Sequence, residues 1–275
     1  MDGSEEVRYG GMVKSAVRVI EILEFFEAER RALKVSEIVE GLRMPQSSVS
    51  TLMKTLAAQG YVEFDPETRR YRPAPRLAFL GHWALGGPGN IEQVQNLMRA
   101  LAEQTEESVL LGGQKGLFMQ YLSIIESPHN LRFSLRPGLV RPLHGSGIGI
   151  MLLTRRSDDD IRRIVRRHRA EFGAEDGWPD EEATLENVRL ARAQGYIETF
   201  GIASRGAGTI CTLLEIPGSG PCLGIAVGGP ISRLDTHREE LRETLTRTVA
   251  EFVRDLAELP VAAGRAERSF PAGHA

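Results

Sequence analysis

Residues 34 to 72 constrain this chain more than any other stretch, because they order two short helices, a tight turn and a charged β-hairpin in immediate succession. In KVSEIVEGL the apolar residues Val35, Ile38, Val39 and Leu42 recur at helical spacing, with Ser36 expected as the N-cap. Gly41 to Pro45 interrupts the pattern, and Pro45 is acceptable only near the start of the next helix. In QSSVSTLMKTLAAQG, Val49, Leu52, Met53 and Leu56 form one apolar stripe, and Gly60 is a natural stop. Gln46, Ser47, Ser48, Ser50, Thr51 and Lys54 are left near the exposed, N-terminal side. They are short hydrogen-bonding groups plus one cation, suited to phosphates and base edges in a major groove. YVEF and YRP read as strands around the turn DPETRR, with Pro66 at its first central position. Arg69, Arg70 and Arg72 fall at the tip and the return arm, where a wing meets phosphate. A plain helical hairpin has the same periodicity as the first half. The hairpin that follows at once favours a winged helix-turn-helix.

The formal net charge of −3 over 275 residues excludes a globally basic nucleic-acid binder. Local sign matters more when one face docks, and residues 41–60 carry Arg43 and Lys54 with no acid. Two cysteines, Cys211 and Cys222, make no disulfide framework. A turn at PGSGP would pair Cys211 with Ala226 and offset the thiols by about 13 Å along a strand, so both are expected free and buried. There is no signal peptide and no apolar run near the ~20 residues that a membrane span requires. A cytoplasmic location is expected.

Elsewhere the chain alternates helices and strands. The first eleven residues are polar and expected to be disordered, and a helix is predicted from Ser15 with Val19, Ile22, Leu23 and Phe26 buried. RLAFLGHWAL reads as a helix after Pro73 and Pro75, and GGPGN as the linker. Ile91 to Glu106 is predicted helical, burying Ile91, Val94, Leu97, Met98 and Leu101. SVLLGG, LFMQYLSII and LRFSLRP read as three strands. RRIVRRHR resembles a nucleic-acid patch in isolation. With Ser157 as cap and SDDD before it, it is instead a surface helix whose charges complement its dipole, with Ile161, Ile164, Val165, His168 and Phe172 on the apolar side. A helix near Thr184 to Gln194 ends at Gly195. Strands TICTLLEI and CLGIAVG follow, then a helix from Asp235 to about Leu256 and an aperiodic tail.

Enzymatic patterns are lacking. GSGIG fails G-x-G-x-x-G at Ile150 and has no following Walker-type lysine. No G-x-S-x-G elbow occurs, and the six histidines include no H-x-x-x-H pair, so no catalytic residue, metal or cofactor is expected. His144, near Ser146, is read as a capping or packing residue. The glycines there suit a helix N-terminus open to an anionic ligand.

Taken together, SEIVEGLRMPQSSVSTLMKTLAAQGYVEFDPETRRYRPAPRLAFLG, PLHGSGIG, RAQGYIE and IAVGGPISRL resemble, in the same order, landmarks of the IclR family of bacterial transcription regulators. The resemblance covers roughly residues 12 to 257 and implies an α+β protein. Its parts are a winged helix-turn-helix at 12–76, a linker at 77–90, a GAF-like effector domain with an antiparallel sheet flanked by helices at 91–257, and a flexible tail at 258–275. It further implies homodimers or homotetramers on double-stranded, palindromic operator DNA, and by default repression of a catabolic operon. Carried over, the effector-binding positions are Gly147, Ile148, Thr199, Thr209, Ala226 and Gly228. The family often has an acid at Thr199, a cysteine at Thr209 and serines at Ala226 and Gly228, and Cys211 does not stand in for that cysteine. The acidic pair after Gly-Tyr is replaced by TFGIAS, and a common recognition-helix arginine by Thr51. Fewer polar anchors favour a larger, more apolar effector, an aromatic acid or related catabolite, with Arg132, Arg136 or Arg205 to meet its carboxylate. The other reading, a small-molecule enzyme or sensor whose winged helix serves protein contact, would lack salt-dependent binding to its own promoter region.

Overall fold

The computed structural model describes residues 12–77, 90–132, 135–173, 178–216 and 222–258. Expectations for the first eleven residues, most of the 76–85 helix, the GGPGN linker, the PGSGP turn and the aperiodic tail lie outside these. The chain divides into two units, Met1–Trp83 and Ala84–Ala275.

In the first unit, α1 (Lys14–Glu29), α2 (Val35–Leu42) and α3 (Gln46–Ala58) precede a two-stranded wing, β1 (Val62–Asp65) and β2 (Arg70–Pro73). The helical spacings converge on one core of Ile22, Phe26, Leu33, Ile38, Met44, Val49, Met53, Leu56, Val62 and Tyr71. Leu33 and Tyr71 exchange backbone hydrogen bonds of 2.9 and 2.8 Å, tying the wing to the α1–α2 loop. Ser36 is not the cap of α2. Lys34 is the N-cap residue, and its backbone N–H donates to Glu37 at 2.8 Å. The carboxylate three residues into the helix reaches back to that N–H, which no first-turn serine can do. Gly60, at φ 75°, takes the left-handed turn that ends α3, a conformation a side chain resists.

In the second unit, the antiparallel sheet runs β5-β4-β3-β8-β7-β6, with β3 Ser108–Lys115, β4 Phe118–Ile125, β5 Val140–Pro142, β6 Tyr196–Phe200, β7 Ala207–Leu214 and β8 Leu223–Pro230. Alternate residues face opposite helical layers. Leu110, Cys211 and Ala226 lie with α5 (Gly147–Leu153), α6 (Asp158–Phe172) and α7 (Glu181–Gln194). Val109, Ile210 and Val227 lie with α4 (Asn90–Thr105), α8 (Ile231–Thr236) and α9 (Arg238–Glu258). Because both faces are covered, β8 is buried throughout and reads as continuous apolar sequence. Cys211 pairs with Ala226, the expected register. Both thiols are free, Cys211 buried and Cys222 half-buried.

Two expectations are corrected here. Ile91 is 37% exposed, so the buried face of α4 begins at Val94. The described residues of LRFSLRP form no strand. Arg132 instead folds back on Glu126 (2.9 Å) and the His129 carbonyl (3.2 Å), Gly138 turns at φ 87°, and the edge strand is β5, paired to Phe118–Gln120. Among the described residues no helix is long and apolar enough to cross a membrane.

Candidate nucleic-acid interface and effector pocket

The apolar stripe of α3 turns Val49, Met53 and Leu56 into the core, and this leaves Gln46, Ser47, Thr51 and Lys54 exposed and Ser48 and Ser50 half-buried. Pro45, the N-cap residue, supplies no side-chain cap, so the first-turn N–H groups remain open to an acceptor such as phosphate. Thr51 Oγ1 donates to the Ser47 carbonyl at 2.9 Å, and Arg18 Nη1 donates to Ser48 Oγ at 3.1 Å.

The wing arginines differ from one another. The turn is held by Asp65, which accepts from the Glu67 N–H at 2.9 Å and from Thr68 Oγ1 at 2.6 Å. Arg69, exposed at φ 53°, carries no ion pair among the described residues. Arg70 is half-buried and turned inward, donating to the Ala32 carbonyl at 2.8 Å and to Glu37 at 3.0 Å. Arg72 is exposed beside its cross-strand partner Glu63, at 2.8 Å. Glu37 collects the Lys34 N–H, Arg31 and Arg70, and these hold its carboxyl down at about 2. Two further cations border α3, Arg18 through Ser48 and Arg43 from the turn before Pro45. Arg43 is exposed at φ 52° in the turn between α2 and α3, and the sequence signal was its position just before Pro45. For Arg18 there was no local signal, because its contact with Ser48 spans thirty residues.

The pocket of the second unit lies at the end of the sheet beside the N-terminus of α5. Ser146 caps that helix, accepting from the Gly149 N–H at 3.1 Å. Gly147 is packed so closely that a Cβ would meet Thr209 Oγ1 at 2.8 Å and Thr199 Oγ1 at 3.0 Å. The two threonine hydroxyls are bonded to each other at 2.8 Å, and the Cys211 thiol donates to Thr209 at 3.2 Å. Beside them is a cavity of about 40 Å³, walled by Leu110, Tyr121 and Leu135, by Thr209 and Gly228, and by Arg141. Of the six expected effector residues, Thr209 and Gly228 line it, and Gly147 and Thr199 adjoin it through Thr209. Ala226 is fully buried opposite Cys211, and Ile148 is packed over Gly112 and Gly224; neither lines the cavity.

Arg132, Arg136 and Arg205 do not line it either. The cation at the wall is Arg141, half-buried on β5 and without an ion pair among the described residues. Burial pushes the Tyr121 hydroxyl up to about 12, so the phenol at the wall is neutral. His144 packs edge-on to His168 and Trp178, at centroid distances of 4.9 and 6.0 Å, as a packing residue.

Residues 15–66 match the IclR helix-turn-helix domain, and residues 89–256 match the bacterial transcriptional regulator IclR C-terminal domain. The chain is 30% identical over 250 residues to the HTH-type transcriptional regulator BhcR of Paracoccus denitrificans, covering 90% of this chain and 87% of the relative. It is 23% identical over 244 residues to the transcriptional repressor IclR of Escherichia coli, covering 83% and 84%. The fold is that of the Thermotoga maritima IclR crystal structure, at TM-score 0.62 and 19% identity over 88% of this chain and 98% of that one. The Alicyclobacillus acidocaldarius IclR regulator gives TM-score 0.60 at 20% identity, over 89% and 99%. The chain belongs to the IclR family of bacterial transcriptional regulators, and is itself a DNA-binding regulator of transcription.

Proposed function

We propose that this regulator is a ligand-responsive repressor of a catabolic operon whose effector is a small organic acid, an aromatic carboxylate being the favoured class. The observation that carries the effector reading is Arg141, a cation without an ion pair among the described residues, at the wall of a cavity whose apolar side is Leu110, Tyr121 and Leu135 and whose polar side includes Ser108, Ser204 and Thr209. A carboxylate meets the guanidinium with charge-assisted hydrogen bonds, while an aromatic body matches the apolar walls. The present volume of about 40 Å³ has room only for water-sized occupants. An aromatic acid therefore enters by displacing the Gly201–Gly206 loop, whose Ala203 and Ser204 close one side.

On DNA, α3 reads the major groove through Gln46, Ser47, Ser48, Ser50, Thr51 and Lys54, while Arg69 and Arg72 grip phosphate from the wing. Arg70 contributes by anchoring the wing to α2. Two copies place their reading helices about one duplex turn, ~34 Å, apart on a palindromic operator. The effector acts through its different affinity for two arrangements of that pair. The test is a thermal-shift and calorimetric screen of benzoate-type and short aliphatic acids against wild type and Arg141→Met. Aromatic acids that bind wild type about 30-fold more tightly than Arg141→Met support the assignment, since a charged hydrogen-bonded contact is worth about 2 kcal/mol. Binding confined to aliphatic acids, or indifferent to Arg141, overturns it.

A further inference from the structure

Each hydroxyl carries one proton, so the bonds it already makes decide what it has left for a base edge. On α3 that allocation is set by neighbours. Ser48, half-buried in the first turn, accepts from the guanidinium of Arg18 at 3.1 Å. With a cation filling one acceptor lobe, its own O–H is polarised as a donor. Thr51, exposed one turn on, gives its proton to the Ser47 carbonyl at 2.9 Å, and Thr55 repeats this on the Thr51 carbonyl at 3.0 Å. Thr51 therefore presents acceptor lone pairs and a methyl group. Neighbouring hydroxyls on one helix have opposite polarity.

The major groove distinguishes these cases. Guanine and thymine present the keto acceptors O6 and O4 where adenine and cytosine present the amino donors N6 and N4. A hydroxyl held as a donor favours a keto base, whereas one whose proton is committed to its own helix favours an amino group or the thymine methyl. The geometry points to Arg18 as a specificity-determining positioning residue. Through Ser48 it makes α3 select a keto base, although Arg18 sits on α1, outside the reading helix. This rests on the assignment of α3 to the major groove. Arginine suits the role because its charge is permanent, so the preference holds across pH.

The test selects sites from a randomised duplex library with full-length wild type, Ser48→Ala, Arg18→Met and the double variant. Anisotropy titrations across salt on single-base variants of the wild-type site follow, with melting temperatures alongside. One base pair should show a keto-over-amino preference of about tenfold in wild type. Ser48→Ala and Arg18→Met should each cut it to about twofold at that same pair, the double variant no further, with salt slope and other positions unchanged. Arg18→Lys, which retains a donor with altered reach, should lie between and keeps the test valid if Arg18→Met folds poorly. Uniform weakening with a salt slope lowered by about one would make Arg18 a phosphate contact and overturn the proposal. Loss at every position with a lowered melting temperature would make it a packing residue and do the same. A wild type that enriches no sequence removes the major-groove assignment itself, whereas enrichment that Arg18→Met leaves unaltered removes only the role of Arg18.

Discussion

The two recognition regions of this chain are built on opposite physical terms. The face of α3 is open: Gln46, Ser47, Thr51 and Lys54 are exposed, and their neighbours give them hydrogen-bond polarity without enclosing them. The candidate effector pocket is closed: Thr199, Thr209 and Cys211 satisfy one another beneath Gly147, and the cavity beside them is about 40 Å³. A solvated face can change its chemistry at little cost in stability, while a close-packed pocket cannot. Substitutions on α3 should therefore read out as affinity, and substitutions at the close-packed residues around Gly147 as folding.

The largest effect should come from Gly147→Val. Its side chain would overlap Thr209 and Thr199, and relief of that overpacking costs about 3 kcal/mol, seen as a lower denaturant midpoint. An unchanged midpoint would show that the residues around Gly147 yield to a larger side chain without cost.

Acid sharpens the same contrast. His144 is buried, with Nδ1 lacking a hydrogen-bond partner among the described residues, and burial, then His168 and Arg169, lower it to about 4. Since the unfolded chain titrates near 6.5, the unfolded state binds more protons between those values. The contribution of His144 is complete above about 6.5 and is lost as pH falls toward 4, by about 2 kcal/mol at pH 5. The described residues of the first unit contain no histidine, so this term belongs to the second unit alone. His144→Phe should flatten the pH 7 to 5 melting profile, and a profile that keeps its slope would place the acid sensitivity elsewhere.

On the open side, Lys54→Ala should leave melting unchanged and lower the slope of log affinity against log salt by about one. Loss of discrimination at a single operator position, with the slope intact, would instead make Lys54 a base reader. Smallest is Glu63→Gln, which releases Arg72 from its cross-strand partner. DNA binding should tighten about twofold, consistent with exposed ion pairs worth a few tenths of a kcal/mol, and a loss of affinity would show that Glu63 orients Arg72.

What the sequence revealed follows the same division. The α3 stripe and the wing are local: periodicity 3.6, a left-handed stop at Gly60 and a hairpin within twelve residues suffice to find them. The β7–β8 register was readable too: the Cys211–Ala226 pair expected from the two apolar runs is the pair observed. Position within the pocket was not. Ile148 stands at the helix start that the family pattern points to, yet it packs across Gly112 and Gly224 because those strands lack side chains there. The place of Arg141 at the cavity wall was not legible, because its neighbours Met119 and Tyr121 come from β4 and nothing local marks a strand that is only three residues long. LRFSLRP misled because alternating apolar residues also suit a loop whose arginine is tied back to Glu126.

On the proposed function, acid bound at Arg141 governs DNA binding by α3. The most direct measurement of this is fluorescence anisotropy of full-length protein on DNA from upstream of its own gene, with and without a benzoate-type acid, for wild type and Arg141→Met. The account predicts tight, salt-sensitive binding by both proteins, shifted by the acid only in wild type. An equal shift in both, or no sequence-specific binding by wild type, would contradict it.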